Sequence, residues 1–202
     1  MRKEFISALE THQSAFGLDL EDEAVGRLAD YYELIQEHNE FLHLVGPCSP
    51  EGFATRHILE SLTLLGHLSS GVWFADVGTG GGLPSIPCLL VREDLKAILI
   101  ESKEKKSKFL EHAVEKLKLK YRTRIAKTQF SETNLGHAQA VTCRALDKFT
   151  EKLPRLIKWS AKSNMLFFGG PNLRQALRSE KLKFVEQLMP MSEQRFLFVL
   201  ER

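Results

Sequence analysis

Cysteine is scarce in this chain of 202 residues: Cys48, Cys88 and Cys143 are the whole set. They are odd in number, far apart and free of any C-x-x-C spacing. A disulfide framework or a zinc cage is therefore not expected, and a reducing, cytoplasmic setting is. Long apolar runs are missing too. None approaches the roughly 18 residues that a membrane-spanning helix needs, so no membrane partner is expected. The seven histidines show no metal-ligand spacing. The opening MRKEFISALETHQ lacks an apolar stretch and carries acids early, unlike a secretory signal. Internal repeats and low-complexity tracts are absent. With 43% hydrophobic residues, the chain can bury the core of one ordinary domain, or of a domain with a small appendage. A monomer is the expectation.

The net charge of +2 hides an asymmetry. Residues 1–70 carry 4 Lys and Arg against 12 Asp and Glu, a balance of −8; the remaining residues carry 24 against 14, a balance of +10. Within that second part, 101–127 has ten basic and four acidic residues, and 144–183 has ten and three. Such clusters fit a polyanion binder, because each neutralised phosphate releases counterions. The plainer alternative is a set of lysine-coated helices facing solvent.

Residues 1–70 read as successive helices, a segment separate from residues 71–202. Asp19 is a candidate N-cap ahead of acids in a first turn, and Leu28, Tyr31, Tyr32, Ile35 and Leu42 follow at helical spacing. After Gly46-Pro47-Cys48, Ser49 caps and Pro50 opens a helix over about 50–66. From residue 72 the rhythm changes. Short apolar strands are expected at 72–77, 97–100, 124–127, 140–144 and 165–168, with RFLFVLE closing the chain. Helices are expected over 83–91, 102–117, through Leu153, Leu156 and Ile157, and over 172–182. This alternation predicts an α/β fold with a doubly wound, mostly parallel sheet. Its ligand should sit at the carboxyl ends of the strands.

The chemistry centres on Asp76-Val-Gly78-Thr-Gly80-Gly81-Gly82-Leu83-Pro84, between the first strand and the next helix. Glycines let a backbone turn tightly and approach a ligand closely. Gly78 and Gly80 match the first two glycines of the dinucleotide fingerprint, but its third position is Leu83. Asp76, Gly78, Gly80 and Gly82 instead fit D-x-G-x-G-x-G, the pattern of class I S-adenosylmethionine-dependent methyltransferases. That cofactor has no phosphate. Its methionine half is a zwitterion that asks for close backbone and a carboxylate, which Asp76 could help supply. Glu101 ends the second strand, where a carboxylate can accept hydrogen bonds from both ribose hydroxyls of either cofactor. A plain strand–helix turn is the bland alternative.

Five blocks, in order, resemble the ribosomal RNA small-subunit methyltransferase G (RsmG, or GidB) family. They are His38-Asn39 to Val45, Arg56-His57 to Leu62, Asp76 to Pro87, Leu99 to Leu110, and Val141-Thr-Cys-Arg144-Ala145. The resemblance runs over roughly 30–200. It implies a Rossmann-like fold with an antiparallel C-terminal strand, and methyl transfer from S-adenosylmethionine to N7 of guanosine 527 in bacterial 16S ribosomal RNA, as naked RNA or in the small ribosomal subunit. Carried onto matching positions, it puts Gly78 and Leu83 in the cofactor pocket, Phe130 and Ser131 near the adenine, and Arg144 at the cofactor or substrate. The sequence has no N/D-P-P-Y/F motif and no pairing suited to a covalent pyrimidine adduct. Guanine N7 already offers a lone pair and carries no proton, so its methylation needs no general base.

The chain departs from the family pattern at four places. His38 and His43 replace a tryptophan and an asparagine. Glu60 replaces an aspartate. Phe130-Ser131 stands where a small–acidic pair is usual, with Glu132 the nearest acid. Phe168-Gly169-Gly170-Pro171 lacks a lysine after the fifth strand, for which Lys148, Lys152 or Arg174 are possible substitutes. Arg56 and His57 either face RNA or pair internally with Glu60 or Glu51. The lysines at 103, 105, 106 and 108 face RNA if their helix borders the cleft; Arg56, His57, Lys105, Lys106 and Lys148 are the RNA-binding candidates. Two other readings stay open: an NAD-dependent oxidoreductase, and an RNA-binding relative that has lost catalysis.

Overall fold

The computed structural model describes residues 1–160 and 162–201. Three helical stretches come first: α1 (Arg2–His12), α2 (Asp22–Leu42), and a continuous run made of α3 (Pro50–Gly52), a π-helical stretch (Phe53–Leu59), α4 (Glu60–Leu62) and a 3-10 turn (Thr63–His67). Strands and helices then alternate: β1 (Trp73–Val77), α5 (Ser85–Val91), β2 (Lys96–Ile100), α6 (Glu104–Lys116), β3 (Thr123–Ala126), β4 (Ala140–Arg144), α7 (Phe149–Trp159), β5 (Asn164–Gly169), α8 (Pro171–Ser179), β6 (Val185–Leu188) and β7 (Phe196–Leu200).

One seven-stranded sheet results, in the order β3-β2-β1-β4-β5-β7-β6. β1 to β5 run parallel and β7 pairs antiparallel with β5. The order reverses between β1 and its neighbours β2 and β4. A crevice forms at such a switch point because the two crossovers leave on opposite faces. The doubly wound, mostly parallel sheet is therefore as the alternation predicted, and its antiparallel last strand as the resemblance implied.

Three local expectations differ. β6 was not anticipated; its four residues, VEQL, are exposed and make an edge strand with little apolar signal. Asp19 does not cap α2, whose N-cap is Glu21 with no side-chain hydrogen bond. Leu20 is buried instead, and its N–H is taken by the Gln13 side chain at 2.7 Å. Between β3 and β4, where the sequence marks no element, there is a short 3-10 turn (Phe130–Glu132). Ser49 does cap, accepting from the Gly52 N–H at 3.0 Å with Pro50 in the first helical position.

The sheet buries both faces. On one, Phe74, Leu99 and Leu166 pack with α5, α6 and the N-terminal helices, so Phe5, Leu28, Ile35 and Phe53 share a core with the sheet. On the other, Val77, Val141 and Phe167 pack with α7 and α8 through Leu153, Leu156, Leu173 and Leu177. The alternation along each strand produces this division, since neighbouring side chains point to opposite faces. No helix among the described residues is long and apolar enough to cross a membrane.

Candidate functional site

The glycine turn is built from both its ends. At its start the N–H groups of Gly78 and Thr79 donate to the Ile100 carbonyl at 2.9 and 3.2 Å, joining the turn to the end of β2. Gly78, Gly80 and Gly82 have φ of +70°, +59° and +97°, a region that L side chains rarely adopt. Behind the turn Asp76 is fully buried. Its Oδ2 accepts from Thr79 Oγ1 at 2.6 Å and from Ser85 Oγ at 2.8 Å, while its Oδ1 has no partner. Burial pushes its carboxyl up to about 7, against the hydrogen bonds from Thr79 and Ser85 that favour the ionised form. Asp76 thus fixes the shape of the turn from inside.

In front of the turn lies a cleft of about 260 Å³ at the carboxyl ends of β1, β2 and β4. Gly78, Gly80, Glu101, Phe130 and Lys106 line it, so the structure brings these five sequence candidates together. Glu101 is nearly buried, and its two oxygens accept from the Gly80 N–H at 3.1 Å and the Lys103 N–H at 2.8 Å. Phe130 packs against Trp159 with ring centroids 5.4 Å apart. Sequence reasoning missed Leu146, which leans over the turn: a Cβ on Gly78 would meet Leu146 Cδ1 at 2.8 Å. It missed Thr128, Gln129 and Asp147 as well. They sit on irregular segments after β3 and β4, where no periodicity marks them.

Most of the other candidates lie off the cleft wall. Leu83 is in the core beneath the N-terminal helices, and a Cβ on Gly82 would collide with Ile86. Ser131 accepts from Arg155 at 2.6 Å, and Glu132 from Thr128. Lys105 is exposed, and Lys148 is exposed with Glu151 3.8 Å away. Of the three substitutes for the lysine missing after β5, Lys152 lines the cleft. Arg174 is committed to Glu186 at 2.6 Å and stacks over Phe196 at 4.2 Å.

A second cluster forms where β4 and β7 meet the N-terminal helices. Glu60, 2% exposed, accepts from Arg195 at 2.6 Å and from Arg144 at 3.3 Å. Arg144 also donates to the Arg56 carbonyl at 2.5 Å and lies over the Phe168 ring. The π-helical stretch supplies that carbonyl and places His57 beside the arginines. Burial first, then Arg144, Arg56 and Arg195, lower the His57 imidazole to about 4, so it is neutral at pH 7. The internal pairing for this segment is thus made by Glu60 with Arg144 and Arg195. The Arg56 side chain is exposed.

The model of the rRNA small subunit methyltransferase G (GidB) family matches residues 25–195. The chain belongs to that family. Among curated members, the enzyme of that name from Neisseria meningitidis serogroup A is 32% identical over 148 residues, 73% of this chain and 69% of its own. The Acinetobacter baylyi member is 34% identical over 145 residues, 70% of this chain and 68% of its own. The Sorangium cellulosum member is 32% identical over 159 residues, 76% of this chain and 66% of its own. Among solved structures, magnesium protoporphyrin IX methyltransferase from Synechocystis, with bound SAM, superposes with a TM-score of 0.62 at 15% identity, over 91% of this chain and 99% of that one. The METTL16 methyltransferase domain gives 0.58 at 15% identity, over 87% and 80%. At these identities the structural likeness establishes the class I methyltransferase fold. The family match carries membership.

Proposed function

We propose that this protein transfers a methyl group from S-adenosylmethionine to N7 of a guanosine in 16S ribosomal RNA, the guanosine at 527, in the cytoplasm. Family membership supports the reaction. The observation that carries it to this chain is the hydrogen bond between Gly80 N–H and Glu101, which closes a glycine turn against a carboxylate at the mouth of one cleft.

The residues present fit that cofactor. A Cβ on Gly80 would meet nothing nearer than 3.8 Å, so the backbone there is open to the cleft. Each Glu101 oxygen uses one hydrogen bond and has capacity for another, which suits two ribose hydroxyls. Phe130 offers an apolar wall to the adenine. When bound, the cofactor supplies an electrophilic methyl on a sulfonium. Guanine N7 is a ready nucleophile, so the chain's task is to align the base, hold its partner and exclude water. Gly78, Gly80, Glu101 and Phe130 are the cofactor-binding residues in this reading, with Asp76 and Gly82 shaping the turn. Lys105, Lys148 and Arg56, exposed and cationic, are the candidates for RNA phosphates. His57, neutral at pH 7, adds no charge there.

The deciding experiment maps N7-methylguanosine in 16S ribosomal RNA from cells with and without this gene. The reading expects one methylated guanosine that disappears on deletion and returns with the wild-type gene. An unchanged map would overturn it.

A further inference from the structure

The lysines around the start of α6 do not behave alike. Lys105 and Lys108 are exposed, and Lys108 pairs with Glu104 at 2.7 Å. Lys106 is half-buried and lines the cleft, its Nζ 4.0 Å from where a Cβ on Gly80 would stand. Its hydrogen bond is a long one, 3.3 Å to the backbone carbonyl of His43, and it makes no ion pair among the described residues. An ammonium partly withdrawn from water, with no carboxylate in ion-pair contact, makes its immediate surroundings favourable to an anion.

The geometry points to Lys106 as the residue that binds the carboxylate of the cofactor's methionine half. This rests on the cofactor assignment above. Glu101 and Phe130 take the adenosine end, and Lys106 is the lysine whose ammonium stands against Gly80 in the same cleft. Asp76 is sealed behind the turn, held inward by Thr79 and Ser85. Lys106 therefore belongs to the cofactor rather than to the RNA-facing row that its neighbours occupy. Its present partner, His43, ends α2 in the left-handed conformation. Binding would exchange that carbonyl for a charged acceptor, and a charge-assisted bond is the stronger of the two.

The test compares two ligands by calorimetry: S-adenosylmethionine, and decarboxylated S-adenosylmethionine, which keeps the adenosine, sulfonium and amine. Binding of S-adenosylmethionine to the wild-type protein checks the underlying assignment by itself. Lys106→Met is then expected to weaken S-adenosylmethionine about 10- to 100-fold and to leave the decarboxylated ligand unchanged. Lys106→Arg should restore part of the loss. Equal losses for both ligands, or no loss for either, would overturn the inference. So would a carboxylate-dependent loss that appears with Lys152→Met instead. A fall in RNA affinity with cofactor binding intact would return Lys106 to the RNA surface.

Discussion

The Tyr31 hydroxyl donates to the carbonyl of Gly81 at 2.8 Å, and both groups are buried. The bond fastens the glycine turn to α2, and Ile35 and Leu44 close in beside it: a Cβ on Gly81 would meet them at 3.1 and 3.3 Å. The N-terminal helices are thus the back wall of the glycine turn. Tyr31→Phe leaves a buried carbonyl without its donor. It is expected to cost about 1–2 kcal/mol in urea unfolding and to weaken S-adenosylmethionine binding. Stability and affinity both equal to wild type would mean that the turn holds its shape unaided.

Asp76 and His57 should tilt the pH dependence of stability in opposite senses. Burial pushes the folded Asp76 carboxyl up to about 7, above the ordinary 3.8 of an exposed aspartate. Between those values the folded state holds a proton that the unfolded state has lost. Asp76 therefore makes stability fall as pH rises from about 4 to 7. Burial and the nearby arginines bring the folded His57 imidazole down to about 4, below the ordinary 6.5 of an exposed histidine. There the unfolded state holds the extra proton, so stability rises with pH over about 4 to 6.5 and is lost as pH falls. Thermal melts across this range should show Asp76→Asn removing the falling component and His57→Gln the rising one. Parallel curves for wild type and both variants would contradict both assignments.

Glu60 is the buried hub of two arginines from distant parts of the chain. Replacing it by Gln keeps its size and deletes the charge that compensates Arg144, itself largely buried. Breaking a buried pair from one side is costly because the remaining charge is stranded. Glu60→Gln should lose about 3 kcal/mol in denaturant unfolding. Glu60→Asp should lose less, since it keeps the charge and shortens the reach. If Gln and Asp proved equally mild, water would have to be reaching the arginines.

Much of this was legible in the sequence because strands buried on both faces write themselves as short apolar runs. VWFADV, AILI and MLFF all became strands, and the glycine turn and Glu101 became the cleft. What escaped was set by orientation. Lys105 and Lys106 are adjacent and chemically identical, yet one helical step puts the first in solvent and the second over Gly80. Asp76 reads as a ligand-facing acid until Thr79 and Ser85 are seen to hold it inward. Leu146 covers Gly78 only because the loop after β4 turns back, with Ala145 and Lys148 at φ of +50° and +52°. Nothing in local composition announces that turn.

Two glycines of the same motif should fail in different ways. At Gly82 a Cβ would lie 2.3 Å from Ile86 Cδ1 and 2.6 Å from its Cγ1, with φ at +97°. Ile86 is fully buried on the first turn of α5 and has no room to give. Gly82→Ala should therefore unfold the protein or lower its melting temperature by several degrees. At Gly80 a Cβ would meet only the Gly78 carbonyl at 3.8 Å and the tip of Lys106 at 4.0 Å, with φ at +59°. Asp is among the residues that tolerate this conformation best. Gly80→Asp should keep the fold by circular dichroism and lose S-adenosylmethionine binding, because its side chain fills the space the cofactor needs. Retained binding in a folded Gly80→Asp protein would move the cofactor site away from this turn.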